Sequence, residues 1–329
     1  MTAPHTRTLG RSTVPVTALT LGTAALGNLF TAITDDQAAA TVEAAWTAGI
    51  RSFDTAPHYG LGLSERRLGR ALAGRPRTDY TLSSKVGRIL VPHDRPGEDD
   101  LAHGFAVPAG HTRVWDFTAD GVRRSIEHSL IRLGLDRLDV ALLHDPDDHA
   151  EAAFHQAYPA LERLRAEGVV GAIGAGMNQT DMLTRFVTDT DVDVVLLAGR
   201  HTLLDHSGLT GLLPAAHERG VSVLAGGVFN SGLLADPGPG ARYDYAPAPP
   251  HVLSRAMRLR AVVERHGVPL RAAALHYPPA HPAVAGVLIG ARSPEEVEDA
   301  VAVMRRPVPA AVWDDLKGEG LLPAWAPTP

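Results

Sequence analysis

The sequence of 329 residues contains no cysteine. This absence excludes a disulfide framework, a thiolate zinc site, an iron–sulfur cluster and a cysteine nucleophile. Basic residues are outnumbered, with 31 Lys and Arg against 37 Asp and Glu, which gives a net charge of −6. Proteins that bind nucleic acids present a basic face to the phosphates, and this charge balance provides none. We therefore expect no nucleic-acid partner, in a protein whose composition is compatible with the cytoplasm.

A long apolar run of the kind that crosses a membrane is also missing. The stretch 12–34 has no charged residue, but it includes Pro15, Gly22 and Gly27 and six threonines. A transmembrane helix needs about 20 predominantly apolar residues, so we expect neither a span nor a signal peptide here. We interpret the stretch as an early strand pair followed by a core strand. The run Asp145–His149, with three aspartates and one histidine, could offer metal ligands but lacks a recognised ligand spacing, and we expect a solvated loop and no metal.

Short β-rich apolar runs alternate with amphipathic stretches along the whole chain. The predicted strands are Leu19–Gly22, Ser52–Asp54, Thr81–Ser84, Leu138–Leu143, Ala172–Ala175, Val192–Leu197, Val221–Ala225 and Gly286–Ile289. The predicted helices are Asp35–Ala48, Ser64–Leu72, Thr118–Leu133, Glu151–Glu167, Thr180–Thr188, Ser207–Arg219, Pro250–His266, Leu270–Tyr277 and Pro294–Met304. Alternation of this kind is typical of a parallel sheet, and eight units favour a (β/α)8 TIM barrel, with residues 1–329 as a single domain.

Two connections are long, Val86–Phe117 after the third strand and Gly226–Pro249 after the seventh. Long loops without secondary structure are usually lids or binding loops, and a tolerated surface insertion is the alternative. The tail after Pro307 is expected to fold back over one end of the barrel.

Four chemically useful side chains follow three consecutive predicted strands. Asp54 and Tyr59 lie at and just after the end of the second strand, Lys85 follows the third, and His144 follows the fourth. In a barrel the carboxyl ends of the strands open at one mouth, so we expect these side chains to converge. Each residue has a purely structural alternative, such as a Lys85–Asp54 ion pair across the barrel top.

The four residues suit proton transfer to or from a substrate oxygen. A tyrosine acts as a general acid or base when its pKa, about 10 in water, is lowered towards neutrality. An adjacent ammonium group favours the phenolate, and a carboxylate keeps that ammonium charged and in place. A histidine hydrogen-bonds the substrate oxygen. We expect Lys85, with a bound cationic ring, to lower the pKa of Tyr59 by this route.

The segment 54–60, Asp-Thr-Ala-Pro-His-Tyr-Gly, followed by Ser64–Gly69, resembles the first signature of the aldo-keto reductase family. Lys85 and His144 fall where that family has its other catalytic residues, and the resemblance covers about residues 7 to 323. It implies a (β/α)8 barrel that uses a nicotinamide dinucleotide. Tyr59 would be the general acid or base, Lys85 and Asp54 would tune it, and His144 would orient the substrate.

Within the family, the segments 144–148, 176–178 and 229–232 resemble the branch of sugar and pyridoxal dehydrogenases. The resemblance implies oxidation of a cyclic hemiacetal, an aldose such as L-fucose or a pyridoxal-like ring, to a lactone. Two positions depart from the common family pattern. Phe229 is the candidate for the aromatic residue that stacks on the nicotinamide, and Arg200 stands where many members have a glutamine.

The same resemblance implies a set of cofactor-binding residues besides Asp54. They are Gly22, Thr23, Met177, Asn178, Arg200, Phe229, Asn230, Ser231, Gly232, Leu233, Gly290, Arg292 and Glu296. Members that prefer NADP carry basic residues near the start of the last helix, where this chain has Glu296. A carboxylate suits the free 2′-hydroxyl of NAD and repels a phosphate. Arg292 points the other way, and the balance favours NAD over NADP.

Other functions remain open at this stage. An NADPH-dependent reductase of aldehydes or ketones would use the same four residues, as would a pyridoxal 4-dehydrogenase. A non-catalytic cofactor-binding subunit is a possibility of a different class, which the intact set Asp54, Tyr59, Lys85 and His144 disfavours. The substrate and the oligomeric state are not determined by the sequence.

Overall fold

The protein folds as a closed barrel of eight parallel strands, each paired with the next along the chain. The computed structural model describes residues 6–93 and 97–329. The barrel strands are β1 (Leu19–Gly22), β2 (Ser52–Asp54), β3 (Thr81–Val86), β4 (Leu138–His144), β5 (Val170–Met177), β6 (Val194–Ala198), β7 (Ser222–Gly226) and β8 (Val284–Gly290). This architecture confirms the predicted TIM barrel, and all eight predicted strands form.

Helices cover the outside of the barrel. They are α1 (Asp35–Thr47), α2 (Leu63–Leu72), α3 (Ala119–Leu133), α4 (Tyr158–Ala166), α5 (Thr180–Asp189), α6 (Leu212–Arg219), α7 (Pro250–Arg265), α8 (Leu270–His276), α9 (Pro294–Arg305) and α10 (Ala310–Gly318). Local signals set several starts, as expected. The Thr34 hydroxyl accepts a hydrogen bond from the Gln37 N–H at the start of α1, and Ser293 caps α9 in the same way before Pro294.

The barrel has an inner and an outer apolar layer. Inside it, alternate strand residues such as Val140, Leu142 and Leu224 pack together. The expected early strand pair is present, with Thr6–Thr8 antiparallel to Pro15–Thr17. Leu9, directly after the first of these strands, and Val16 pack against the inner layer. Gly10 of this pair donates to Ser222 Oγ at the start of β7. The hairpin therefore covers the amino-terminal end of the barrel and leaves the opposite mouth for chemistry.

Two predicted helices are interrupted. The stretch predicted as Glu151–Glu167 consists of a short helical turn (Ala150–Ala152), a π-helical turn (Ala153–Ala157) and α4. Pro159 has no backbone N–H to donate to a carbonyl in the preceding turn, which explains the wider π-helical turn before it. The stretch predicted as Ser207–Arg219 starts as a 3-10 turn (Ser207–Leu209), and α6 begins only at Leu212.

The long connection after β3 is not the structureless loop that was expected. Strands Arg88–Pro92 and His111–Trp115 pair antiparallel, and a smaller pair, Asp99–Asp100 with Phe105–Pro108, flanks a 3-10 turn at Leu101–His103. The connection after β7 contains the pair Arg242–Tyr243 and Ala246–Pro247. Their cross-strand contacts are decided by the folded barrel and were not visible as a pattern.

The tail also has more structure than predicted, since it contains helix α10. Arg255 of α7 donates to the Leu321 carbonyl at 2.7 Å, so the tail lies against α7. Further 3-10 turns are Ala25–Gly27, Arg77–Asp79, Asp147–His149 and Pro278–Ala280. Within the described ranges, none of the helices is both long and apolar enough to cross a membrane.

Candidate active site

The barrel register brings the ends of β2, β3 and β4 to one mouth. Asp54 pairs with Ser83 across β2 and β3, and Leu142 pairs with Lys85 across β3 and β4. His144 is the last residue of β4. The parallel strands therefore present Asp54, Lys85 and His144 at neighbouring positions around the same rim, as expected.

Lys85 is the centre of a buried hydrogen-bond network. Its Nζ lies 2.5 Å from Asp54 Oδ1, 3.0 Å from the Thr55 carbonyl oxygen and 3.2 Å from the Tyr59 hydroxyl. The Ser83 hydroxyl donates to the other Asp54 oxygen at 2.6 Å. The side chains of Lys85 and Asp54 are only 2% and 1% exposed. All three ammonium protons are engaged, so the network fixes the ammonium beside the phenol.

The loop that carries Tyr59 is fixed by a close approach of two glycines. Gly60 has a φ of +59°, and a Cβ at this position would lie 2.2 Å from the Gly27 carbonyl oxygen. A Cβ on Gly27 would lie 2.7 Å from the Tyr59 carbonyl carbon. Any side chain at either position would push the two segments apart. The glycines therefore set the position of Tyr59 over Lys85.

Burial and the neighbouring charges act in opposite directions on the protonation of Lys85 and of Tyr59. Burial lowers the pKa of Lys85, but Asp54 and Tyr59 outweigh it, and the pKa lies above its ordinary value. Burial raises the pKa of Tyr59 to about 12, while Lys85 acts in the opposite direction. Lys85 therefore acts on the Tyr59 pKa in the expected direction, but burial outweighs it in the protein alone, and the further lowering by a bound cationic ring stays a prediction. The phenol is protonated at neutral pH.

His144 stands over the phenol as a neutral ring. Its centroid is 5.9 Å from that of Tyr59, with the rings nearly perpendicular. Burial, with Arg88 and Lys85 nearby, holds the pKa of His144 well below its ordinary value. Its Nδ1 is buried without a hydrogen-bond partner among the described residues, and Nε2 lies 3.7 Å from Asp145 Oδ2. A neutral imidazole can hydrogen-bond a substrate oxygen without protonating it.

An inner cavity of about 550 Å³ opens above these groups. Its polar lining includes Tyr59, His144 and Asp145. Its apolar walls come from four loops and strands and comprise Ala24, Leu29, Phe30, Leu101, Phe105, Met177 and Leu196. His58 and His103, from the loops after β2 and β3, also line the cavity, and burial lowers the pKa of His58 to about 2. The cavity thus combines a polar floor with an apolar wall, as small-molecule sites usually do.

A second, elongated groove of about 840 Å³ runs from Tyr59 across the barrel mouth to the start of α9. Most of the predicted cofactor residues line it, namely Gly22, Thr23, Asp54, Asn178, Phe229, Asn230, Ser231, Gly232, Gly290, Arg292 and Glu296. Met177 lies in the inner cavity instead. The two spaces share Tyr59 and Asn178, so an extended molecule in the groove would reach the inner cavity.

Two predicted cofactor residues line neither space. Leu233 is fully buried in the apolar packing. Arg200 binds Asp244 with both ends of its guanidinium, at 2.9 Å and 2.8 Å, and lies 3.7 Å from Asp205. The ion pair with Asp244 holds the connection after β7 across the groove. Arg200 therefore acts on the loop rather than on the groove itself.

The amino-acid sequence matches the Aldo/keto reductase family over residues 18–318. The chain belongs to this family. It is 45% identical over 313 residues to a D-threo-aldose 1-dehydrogenase from a Pseudomonas species, covering 94% of this chain and 95% of that protein. It is 37% identical over 338 residues to the pyridoxal 4-dehydrogenase of Microbacterium luteolum, covering 97% and 98%.

Solved structures give the same assignment. The holo form of an aldo-keto reductase from Bacillus halodurans superposes with a TM-score of 0.76 at 26% identity, over 98% of this chain and 97% of that one. The resemblance found in the sequence is thereby confirmed. The protein is an NAD(P)-dependent oxidoreductase of the aldo-keto reductase type.

The groove of this aldo-keto reductase fits a nicotinamide dinucleotide. Asn230 Oδ1 is buried without a partner among the described residues, while its Nδ2 donates to the Gly199 carbonyl at 3.2 Å. The nearby Asn178 amide makes no hydrogen bond within the described part of the chain and faces both spaces. Gly290 also lines the groove, and a Cβ added there would meet no protein atom within 4 Å, so the space beside it is open to a ligand. Asn178 and Asn230 therefore offer unpartnered polar groups to a molecule bound in the groove, and their role at the nicotinamide end stays a prediction.

The far end of the groove is acidic. Arg292 is paired with Glu296, with Nε 3.3 Å from Oε1, and its backbone N–H donates to the same carboxylate at 3.0 Å. Arg271, also on the groove, is paired with Asp299 at 2.6 Å. Both arginines at this end are thus already neutralised by carboxylates.

Several residues at the mouth were missed by sequence reasoning. Phe30 and Tyr245 come from two distant loops, and their ring centroids lie 6.2 Å apart across the opening. Arg242 lies over the Phe30 ring, with the guanidinium carbon 4.9 Å from the centroid. Nothing in the spacing of a Pro- and Gly-rich loop points to these contacts. Asp145 was named only as part of the run Asp145–His149, which was expected to be a solvated loop.

The remaining sequence suggestions carry no site. Among the described residues, no group of three or more His, Cys, Asp or Glu side chains is placed to hold a metal ion. His149 packs instead against the ring of Trp115, 5.0 Å between centroids, and that of Phe117. His93 and His111 do not line either space.

Proposed function

We propose that this aldo-keto reductase oxidises a cyclic hemiacetal, an aldose such as L-fucose, to a lactone and uses NAD. The observation that carries the proposal is that Tyr59, Lys85 and His144 line the inner cavity together. The 45% identity to a D-threo-aldose 1-dehydrogenase over most of both chains supports the substrate class. The dinucleotide, when bound, supplies the acceptor for the hydride that leaves the substrate carbon.

The protein's own residues would handle the proton and the orientation. The substrate hydroxyl lies between the Tyr59 hydroxyl and His144 Nε2, and Tyr59 takes the hydroxyl proton as general base. Lys85 stabilises the phenolate that this requires, because its ammonium is 3.2 Å from the phenol oxygen. Asp54 keeps that ammonium charged. His144 remains neutral and fixes the substrate oxygen by a hydrogen bond.

The charge at the far end of the groove supports NAD over NADP. Glu295, Glu296 and Asp299 all line this end. A carboxylate accepts a hydrogen bond from the 2′-hydroxyl of NAD and repels a 2′-phosphate. The two arginines that line it are each paired with a carboxylate, which reduces the positive charge that this end of the groove offers to the phosphate of NADP.

A pyridoxal 4-dehydrogenase is the second candidate. The apolar wall formed by Leu29, Phe30 and Phe105 would pack against an aromatic ring as well as against the face of a sugar. The 37% identity to the Microbacterium luteolum enzyme supports this alternative.

The cytoplasmic location stays a prediction from composition.

The test is the absorbance of reduced nicotinamide with purified protein, either NAD or NADP, and L-fucose, D-arabinose, L-galactose or pyridoxal. We expect reduction of NAD with at least one aldose. Tyr59→Phe should abolish turnover and leave cofactor binding intact, as measured by quenching of tryptophan fluorescence. Turnover of pyridoxal alone would favour the second candidate. Consumption of NADPH with simple aldehydes and no oxidation of the panel would refute the proposal, as would undiminished turnover by Tyr59→Phe.

A further inference from the structure

Asp145 follows His144 directly, lines the inner cavity and has a side chain that is 34% exposed. The residue adopts a φ of +43°, in the left-handed region that Asp and Asn tolerate better than most residues. Its backbone N–H donates to the Gly176 carbonyl at 3.0 Å, so the end of β5 holds this turn. As a result the carboxylate lies beside His144, with Oδ2 3.7 Å from Nε2.

Arg88 holds the carboxylate from the side away from the cavity. Its guanidinium forms an ion pair with Asp145 Oδ2 and lies over the Trp115 ring, 4.4 Å from the centroid. Asp145 lines the inner cavity, whereas Arg88 does not. Its other oxygen, Oδ1, accepts no hydrogen bond from the residues the structure describes. An acceptor is therefore presented to whatever occupies the cavity, and its countercharge is placed behind it.

The position of the Asp145 carboxylate indicates which substrate hydroxyl it could reach. If the reacting oxygen lies between Tyr59 and His144, a group that reaches Asp145 is displaced from it by about one further hydrogen-bond length. Neighbouring hydroxyls on a sugar ring have this relation. A hydroxyl can donate to Oδ1, whereas an alkyl carbon at the same position would desolvate this oxygen and leave it without a donor, since Arg88 binds only Oδ2.

We propose that Asp145 accepts a hydrogen bond from the hydroxyl on the carbon next to the reacting one, and thereby selects substrates that carry this hydroxyl. The proposal rests on the proposed oxidation of an aldose and names the feature by which the same site would recognise it. The site would therefore select substrates with a hydroxyl next to the reacting carbon, and Asp145 is the residue that makes this selection.

The test compares kcat/KM for L-fucose and 2-deoxy-L-fucose in the wild type and in Asp145→Ala. We expect the wild type to prefer L-fucose by about 10- to 100-fold, since a hydrogen bond to a charged acceptor contributes on this scale. The preference should fall to within about threefold in Asp145→Ala, mainly by loss of activity on L-fucose. Comparing the ratio between proteins cancels both the intrinsic reactivities of the two sugars and any loss of folded enzyme.

Two further variants complete the design. Asp145→Asn keeps the size and the left-handed turn but removes the charge, so an intermediate preference is expected. Asp147→Asn removes a carboxylate from the same loop, one that contacts Gln179 at 3.3 Å outside the cavity, and should keep the wild-type preference. A wild-type ratio in both Asp145 variants overturns the proposal while leaving the aldose dehydrogenase activity intact. A wild type that oxidises neither sugar overturns both.

Discussion

The buried pair of Lys85 and Asp54 allows the structural and the catalytic role of one side chain to be separated. Lys85→Met removes the ammonium and leaves the Asp54 carboxylate, 1% exposed, with only the Ser83 hydroxyl as a side-chain donor. Removing one partner of a buried ion pair destabilises a protein by about 3 to 5 kcal/mol, because the other charge stays buried and unpaired. The double variant Asp54→Asn with Lys85→Met removes both charges and should recover most of that loss.

Activity should behave differently from stability in the same series. Without Lys85, burial acts unopposed on Tyr59, so the phenolate becomes still less accessible. We expect kcat to fall by about 100-fold or more in Lys85→Met, and to remain low in the double variant because the ammonium is still missing. Urea unfolding followed by tryptophan fluorescence gives the stabilities, and turnover at saturating substrate gives kcat.

Lys317→Met is the matched control, since Lys317 is the other lysine in the sequence and, among the described residues, its Nζ hydrogen-bonds only the Thr328 hydroxyl in the tail, at 3.2 Å. It should change neither quantity appreciably. If the double variant is no more stable than Lys85→Met, the ion-pair argument is wrong. If Lys85→Met keeps wild-type kcat, Lys85 has no part in proton transfer.

Three other predictions follow from the site. Burial raises the pKa of Tyr59 to about 12, so substrate oxidation needs the scarce phenolate, and its rate should rise by up to about tenfold per pH unit through neutral and alkaline pH. The rate of the reverse reduction uses the abundant phenol and should change little. Parallel pH profiles in the two directions check this, and a flat oxidation profile contradicts it. Glu296→Arg should shift the NADP-to-NAD ratio of kcat/KM towards NADP by about tenfold or more, while Glu298→Arg, the same charge change on α9 outside the groove, should not. Arg200→Ala frees Asp244 from its two-point ion pair, so stopped-flow measurement should show cofactor dissociation faster by about fivefold, and an unchanged rate would show that the loop is held by other contacts.

Much of the site was predictable because its chemistry sits at the ends of regular elements. The alternation of β-rich runs and amphipathic stretches gives all eight strands, and parallel strands of a barrel end at one mouth. Asp54, Lys85 and His144 therefore converge whatever the loops do. The Tyr59–Gly60 turn was predictable as a motif, although the need for glycine comes from its contact with Gly27.

The rest depends on contacts between residues far apart in the chain. Arg200 was expected on the cofactor and instead binds Asp244, 44 positions later, because the connection after β7 folds back over the mouth. Lys85 lowers the pKa of Tyr59 as expected, but the protein alone still raises that pKa above its ordinary value, because desolvation is a sum over every neighbouring element, whereas a sequence shows only which charges exist.

The sequence by itself determined the barrel, the family and the residues at the strand ends, because hydrophobic periodicity and short motifs are local properties of the chain. Only the tertiary structure decided how deeply Tyr59 is buried, what Arg200 binds and that Asp145 faces the cavity with Arg88 behind it. These depend on which loops meet after the barrel closes, and on the burial that results. The protonation states and selectivity of the site are therefore properties of the folded mouth.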